Sequence, residues 1–158
     1  MIWRVVGKAD PRAVRLADRH YTRQKPGTPQ FTRPGRNLVL LSEDENAVWT
    51  TWMPAKGERM DGLDVWECTM FRNEGPYLSS HLIVLALAVT RAEWGEPPAD
   101  GMITYIGKHL RGGCFHAAGF RNDGYSKSRG LLRLRLSGDR FPPAMVAAAT
   151  MQQMSMII

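Results

Sequence analysis

Short runs of β-branched and aromatic residues alternate with turn-forming clusters along most of the chain. IWRVV (2–6) predicts a first strand, because such residues favour extended structure. LVLLS (38–42) and AVWTTWM (47–53) flank the turn-forming cluster EDEN and predict a hairpin. MITYIG (102–107) predicts a later strand.

The segment DVWECTMFRN (64–73) predicts a central strand, because both of its faces are mostly apolar. Strict alternation would place Val65, Glu67, Thr69 and Phe71 on one face and Trp66, Cys68, Met70 and Arg72 on the other. The carboxylate of Glu67 is then buried or faces a cleft. A structural ion pair and a catalytic carboxylate are both open interpretations of it.

Two helices are predicted by their start signals and apolar faces. Asp10 before Pro11 is a typical N-cap followed by a first-turn proline, and the helix should end near His20. Ser79 or Ser80 is predicted to cap a largely buried helix that runs to about Trp94.

The last third of the chain predicts a short helix in GGCFHAAGF (112–120) followed by a hairpin. Arg133 and Arg135 alternate with leucines, so one face of the final strand is packed and the other is positive. The element order predicts an α/β (α+β) domain with a mixed sheet, whose helix-linked strands are parallel. Residues 1–140 form this single domain, and 141–158 form an Ala/Met-rich tail or helix, which either docks on the body or serves a homodimer.

The charge pattern adds to this picture, because the net charge of +6 is unevenly distributed along the chain. Residues 1–36 carry 9 basic and 2 acidic side chains, residues 37–100 carry 4 and 11, and residues 101–158 carry 8 and 2. If the two basic ends meet, they form a surface for a polyanion; scattered solvated charges are the alternative. The loop 21–37, with three prolines and no helical period, is a further site candidate.

Other classes of protein are disfavoured. Two separated cysteines argue against a disulfide framework or a four-cysteine zinc site, and the four histidines show no metal-ligand spacing, so no metal is predicted. The apolar run LIVLALAV (82–89) is too short to span a membrane, and the N-terminal residues lack a signal-peptide pattern. We expect a cytoplasmic protein with no membrane partner, in the host cytoplasm if a phage encodes it.

The order of elements resembles the acetyltransferase fold of the GNAT superfamily, and CFHAAGF (114–120) is similar to its late helix ending in Gly-Phe. A closer resemblance is to the Mom family of phage DNA-modification proteins, a divergent GNAT-like group. It rests on RHYTRQ (19–24), WECTMFRNE (66–74), MITYIG and GGCFHAAGFRNDGYSKS (112–128), which follow the family's order. RNEGPYLSS (72–80) stands where ordinary acetyltransferases have a glycine-rich loop, and YIGKHLRGG (105–113) lacks the family's usual Asp-containing turn.

The resemblance implies a GNAT-like mixed central sheet flanked by helices. It also implies a DNA-modifying transferase that adds a small acyl-type group to an exocyclic amine of a base. The cofactor would be acetyl-CoA or another acyl donor, and the partner double-stranded DNA. An acyl-CoA-dependent N-acetyltransferase of a small amine or protein, and a non-catalytic DNA-binding domain on the same fold, are the alternatives.

Candidate residues follow from this chemistry, although each also has a structural interpretation as a cap, core residue or ion pair. The catalytic candidates are the general base Glu67, the base-stacking Tyr21, the proton relay His20, and Ser80 and Tyr105. The candidates for binding a donor phosphate or an oxyanion are Arg72, Asn73, Ser79 and Ser80. The DNA-binding candidates are Arg19, Arg23, Lys25, Arg33, Arg36, Tyr125, Lys127 and Arg129, with Arg121, Arg133 and Arg135 as further phosphate contacts.

Overall fold

A computed structural model of the chain describes residues 2–20, 31–54, 62–107, 110–126 and 130–148. In chain order its elements are β1 (Trp3–Val6), α1 (Pro11–Ala17), β2 (Arg36–Ser42), β3 (Ala47–Met53), β4 (Trp66–Asn73), α2 (Ser79–Trp94), β5 (Met102–Ile106), α3 (Gly113–Ala117), β6 (Arg121–Tyr125) and β7 (Leu132–Leu136). The predicted order of strands and helices is therefore confirmed.

The seven strands form one mixed sheet in the order β1-β2-β3-β4-β5-β7-β6. Every neighbouring pair is antiparallel except β4 and β5, which are parallel and are joined through α2. The central position of β4 and the edge position of the final hairpin are confirmed. The prediction that helix-linked strands are parallel is confirmed for β4 and β5, but it is wrong for β1 and β2, which are linked through α1 and are antiparallel neighbours. Because a parallel connection needs a crossover, α2 must pack on one face of the sheet.

The two faces of the sheet are covered to different extents. α2 and α3 lie on one face, which we call the α2 face, over a large core that includes Trp49, Cys68 and Phe120. α1 lies on the other face, the α1 face, and packs with a smaller cluster that includes Leu16 and Val39. No helix among the described residues is long and apolar enough to cross a membrane.

A β-bulge in β4 corrects the predicted faces of this strand. Thr51 of β3 pairs with Cys68, whereas Thr50 pairs with Met70, so Thr69 is the extra residue. Paired residues point to the same face of a sheet, so Cys68 and Met70 lie on opposite faces rather than sharing one. Phe71 consequently packs with the α2-face core, against the Trp49 ring at 5.8 Å between centroids.

The described part of the C-terminal tail, 141–148, contains neither a helix nor a strand and lies against the body. Phe141 is buried beside Trp66, with 5.9 Å between ring centroids. Two main-chain hydrogen bonds continue the contact, from Met145 N to Ala88 O and from Ala148 N to Trp3 O. The tail thus covers the outer side of α2 and reaches β1.

Candidate functional site

A cavity of about 360 Å³ lies between β4 and β5, where the two parallel strands separate. Their pairing ends at Cys68 and Thr104, and the Thr104 hydroxyl donates a hydrogen bond to Cys68 O at 3.0 Å. Both strands continue past this point, β4 to Asn73 and β5 to Ile106. Strand separation opens main-chain edges that a ligand can bind, so this is a built site in the middle of the sheet.

The cavity is mostly apolar, with a few polar residues converging on it. Apolar walls come from Met70, Phe71, Ile106, Leu110 and Phe115. The polar or charged side chains are carried by His20, Asn73, Ser79, Tyr105, Arg111 and Cys114, among others. This combination of apolar walls and few polar groups is typical of small-ligand sites.

His20 follows α1 and is held against β4 at the wall of the cavity. Burial, with a smaller contribution from the positive charge of Arg72, lowers the pKa of His20 to about 4, despite an opposing hydrogen bond with the Phe71 backbone. The imidazole is therefore neutral at pH 7 and has a nitrogen able to accept a proton. Among the predicted catalytic residues, the structure brings His20 and Tyr105 to the same cavity.

The loop between β4 and α2 is held by the side chain of Asn73. Its Nδ2 donates to Tyr77 O at 2.7 Å and to Ser79 Oγ at 3.0 Å, and its Oδ1 accepts from Gly75 N at 3.0 Å. The predicted serine cap is wrong: the N-cap residue is Leu78, and no side chain caps α2. The Ser79 hydroxyl is instead engaged by Asn73, and Ser80 lies in the first turn without lining the cavity.

Glu67 lies outside this cavity, on the α1 face between Trp52 of β3 and Ile103 of β5. It is 2% exposed, and its Oε2 accepts a hydrogen bond from Arg33 Nη1 at 2.8 Å. The guanidinium of Arg33 also stacks over the Trp52 ring, 5.0 Å from its centroid. In this structure Glu67 therefore forms an ion pair with Arg33, as its structural interpretation predicts.

A network of three charged side chains lies beside His20. Arg19 donates to both carboxylate oxygens of Glu74, at 2.6 and 2.7 Å, and Arg72 Nε donates to the same carboxylate at 2.6 Å. Arg72 Nη1 also donates to Arg19 O at 2.8 Å. Hydrogen bonds from Arg19, and then from Arg72, lower the pKa of Glu74 to about 2. Two cations share one anion, which leaves the network one positive charge.

Two other predicted DNA contacts, Arg36 of β2 and Tyr125 of β6, lie on strands that are far apart in the sheet. Arg36 stacks over Trp94 of α2 at 4.8 Å, on the α2 face and away from Arg33. Tyr125 is well exposed at the end of the edge strand β6. Tyr21, Arg23, Lys25, Lys127 and Arg129 lie outside the residues that the structure describes.

The cavity also contains residues that sequence reasoning missed. Arg111 is exposed at its edge, and Cys114 is half-buried at the start of α3, where burial raises the pKa of the thiol. CFHAAGF marks the α3 segment, but no local pattern indicates that it turns towards β4. Across the described ranges, no three His, Cys, Asp or Glu side chains are grouped as a metal site.

Tyr105 connects the cavity to the positive strand β7. It pairs with Arg133 across β5 and β7, so the two side chains share the α1 face. Burial alone would lower the pKa of Arg133, but a hydrogen bond with Tyr105 and the charge of Asp123 raise it above its ordinary value. The phenol of Tyr105 thus lies beside a permanent cation at the wall of the cavity.

The chain was compared with protein-family models and with curated proteins, and nothing in either set matches it. The resemblance to the Mom family therefore stays a prediction from the motifs.

Proposed function

We propose that this protein is a transferase that moves a small acyl-type group to an exocyclic amine of a base in DNA. The observation that carries the proposal is the cavity between the separated ends of β4 and β5, with a neutral His20 in its wall. The DNA specificity rests on the Mom-like motifs and on the basic ends of the chain.

The chemistry fits an amine acceptor. As an amine forms its C–N bond to an acyl carbon, the bond from that carbon to the donor's leaving group breaks. The nitrogen becomes acidic in this step, so even a weak base can remove its proton and pass it to the departing group. The neutral His20 imidazole supplies such a base within the cavity. Tyr105, next to the Arg133 cation, is an O–H donor for the oxygen on which negative charge develops.

The residues present also fit an anionic acyl donor. Arg111 is exposed at the cavity and has no ion-pair partner among the described residues. The N-terminus of α2 is adjacent, and its first N–H groups lack a side-chain cap. A phosphate-bearing donor such as acetyl-CoA would be held by these groups and would supply the activated acyl group.

A specific observation favours the second candidate, an N-acyltransferase of small amines. Arg19 and Arg72 are paired with Glu74, and Arg33 with Glu67, so much of the positive charge predicted for DNA is internally compensated. A small amine needs no extended basic surface.

Nucleoside mass spectrometry of total DNA from expressing cells tests the proposal. We expect a new nucleoside mass that is absent from the empty-vector control. His20→Asn should reduce its amount by roughly 100-fold or more, as expected for removal of a general base. His81→Asn is the matched control, because His81 is exposed on α2 and does not line the cavity.

The same analysis can be made in vitro, on DNA incubated with the folded protein and an acyl donor. An unchanged nucleoside profile there would contradict DNA modification. In that case, thermal stabilisation by acetyl-CoA that is lost in Arg111→Ala would favour the small-amine enzyme. Saturating ligand at about 100 times its Kd contributes about 2.7 kcal/mol, which is readily measured.

A further inference from the structure

A second cavity of about 180 Å³ lies where β6 begins and β7 ends, which we call the β6–β7 cavity. It is lined by Arg121, Asn122, Asp123, Arg135, Ser137 and Arg140. Arg121 pairs with Arg135 across the two strands, so their side chains share one face of the sheet. Three arginines and a single carboxylate residue therefore line one small space.

The carboxylate of Asp123 does not neutralise this group. Its Oδ2 accepts from Arg135 Nε at 3.2 Å and from Arg133 Nε at 3.0 Å, so it is shared by two cations. Arg135 is further oriented by a hydrogen bond from Nη1 to Asp100 O at 3.2 Å. The shared carboxylate thus fixes the direction of Arg135 while leaving the cavity with excess positive charge.

Arg121 and Arg140 supply donors with few protein acceptors. Arg121 Nη1 donates to Phe120 O at 3.3 Å, and the guanidinium of Arg140 has no hydrogen bond or ion pair with any described residue. Each guanidinium carries five N–H donors in a fork that matches the oxygens of phosphate. Donors in this number, around one cavity, fit an anion with several oxygens.

The turn that carries Arg140 is held in place by close backbone packing. Arg140 ends a 3₁₀ turn, Gly138–Arg140, and the next residue, Phe141, is buried in the core. A Cβ at Gly138 would collide with Pro98 O, and one at Gly101 would collide with Leu136 O. Only glycine allows these backbones to approach so closely, so Arg140 stands on a rigid corner rather than a loose tail.

We infer that the β6–β7 cavity binds a phosphate group. Arg135 and Tyr105 lie on the same face of the sheet, two residues apart in register across adjacent strands. The Cα atoms of Arg135 and Tyr105 are therefore roughly 8 Å apart, from about 7 Å along a strand and about 5 Å between strands. A DNA strand whose base reached Tyr105 in the cavity between β4 and β5 would therefore pass close to Arg135. Assigning the phosphate to DNA rests on the proposed function, whereas the phosphate site does not.

DNA binding at a series of KCl concentrations, measured by the anisotropy of a short fluorescent duplex, tests this inference. Losing one phosphate contact should reduce the slope of log K against log salt by about 0.9. Arg140→Ala and Arg121→Ala should each weaken binding by about tenfold. If both arginines hold the same phosphate, the double variant loses about 0.9 in slope, whereas two independent contacts would lose about twice that.

Controls separate the site from bulk charge. Arg140→Lys keeps the charge but not the fork, so it should recover only part of the affinity. Lys8→Gln removes an exposed charge just after β1, at the opposite edge of the sheet from β6, and should leave the slope unchanged.

A second experiment measures the thermal stability of the protein with and without inorganic phosphate. Stabilisation of the wild type that is lost in Arg140→Ala, together with unchanged DNA binding, would support the site and assign it to a free phosphorylated ligand. If neither phosphate nor DNA binding depends on Arg121 and Arg140, the inference is overturned. Phosphate binding can be measured even if the protein never modifies DNA. Failure of this inference can therefore be distinguished from failure of the proposed function.

Discussion

The two faces of the central sheet differ in what covers them and in what they carry. The α2 face is closed by α2, α3 and the C-terminal segment over a continuous core of large apolar side chains. Among the described residues, the α1 face is covered by one short helix, α1, over β2 and β3. Beyond that helix it carries Glu67, Tyr105, Arg133 and Arg135.

The two faces therefore contribute differently to stability and to charge. Burial of large side chains on the α2 face supplies the larger share of the hydrophobic free energy of folding. On the α1 face, charged groups are held by partial pairing, in which one carboxylate serves two guanidinium groups at Glu74 and again at Asp123. Such sharing orients the cations without cancelling them, which suits a surface that binds an anionic substrate.

The largest effect should come from opening the α2-face core. Phe120 is fully buried, and its ring packs edge-on against Phe115 at 5.2 Å. Phe120→Ala should lower the free energy of unfolding by about 3–5 kcal/mol, measured by urea denaturation. Val146→Ala is the control, because Val146 is 77% exposed and its truncation should cost less than about 0.5 kcal/mol. Similar losses at the two positions would contradict the core assignment.

The dependence of folding stability on pH should show that His20 is buried. The pKa of His20 in the folded protein is about 4, below its ordinary value of 6.5, so the unfolded chain binds the proton more tightly between these values. Stability should therefore be complete above about pH 6.5 and fall as the pH drops towards 4, by up to roughly 3 kcal/mol. His20→Asn should lack this component of the pH dependence, and His81→Asn should retain it. Parallel curves for wild type and His20→Asn would show that His20 is solvated.

Two arginines that stack on tryptophan rings, one on each face of the sheet, allow the two faces to be compared directly. Arg33 and Arg36 each lie over a tryptophan ring, at 5.0 and 4.8 Å, but Arg33 also pairs with the buried Glu67. Arg36→Met should cost about 0.5–1 kcal/mol from the lost stacking. Arg33→Met should cost about 1–3 kcal/mol, because it also removes a donor from a buried carboxylate. Equal costs would mean that Glu67 is satisfied without Arg33.

The smallest effect is expected at the solvent-facing network beside His20. The pKa of Glu74 is about 2, so the contribution of its ion pairs is complete above about pH 4.5 and is lost as the pH falls towards 2. Exposed pairs contribute little, so Glu74→Gln should lower Tm by only a few degrees at neutral pH. The difference from wild type should vanish near pH 2. A difference that persists there would require a role for Glu74 other than its charge.

The sequence predicted the order of elements well, because each strand and helix has a local signal. Asp10 accepts a hydrogen bond from Arg12 N and caps α1 as expected. The predicted faces of β4 failed beyond Cys68, because a bulge is set by pairing with β3 and leaves no mark in the alternation of β4 itself. The predicted cap of α2 failed because both serines lie inside the helix, which begins at Ser79, and Asn73 engages the Ser79 hydroxyl.

The residues of the candidate site were likewise predicted only in part. Glu67 was predicted to be buried or in a cleft, and it is buried and bonded to Arg33 on the α1 face, outside the cavity. Arg111 and Cys114 could not be anticipated, because their approach to β4 depends on how α3 folds back after β5.

By itself, the sequence determined that this chain forms a mixed sheet with a central strand β4, a parallel β4–β5 pair and a basic hairpin at the edge. These features depend on local propensity, on patterning and on the geometry of short connections. Only the tertiary structure decided which polar residues share a cavity, which cations are compensated, and where Arg140 meets Arg121. Those relations arise between segments distant in the chain, through strand register and close backbone contact, and no local pattern encodes them.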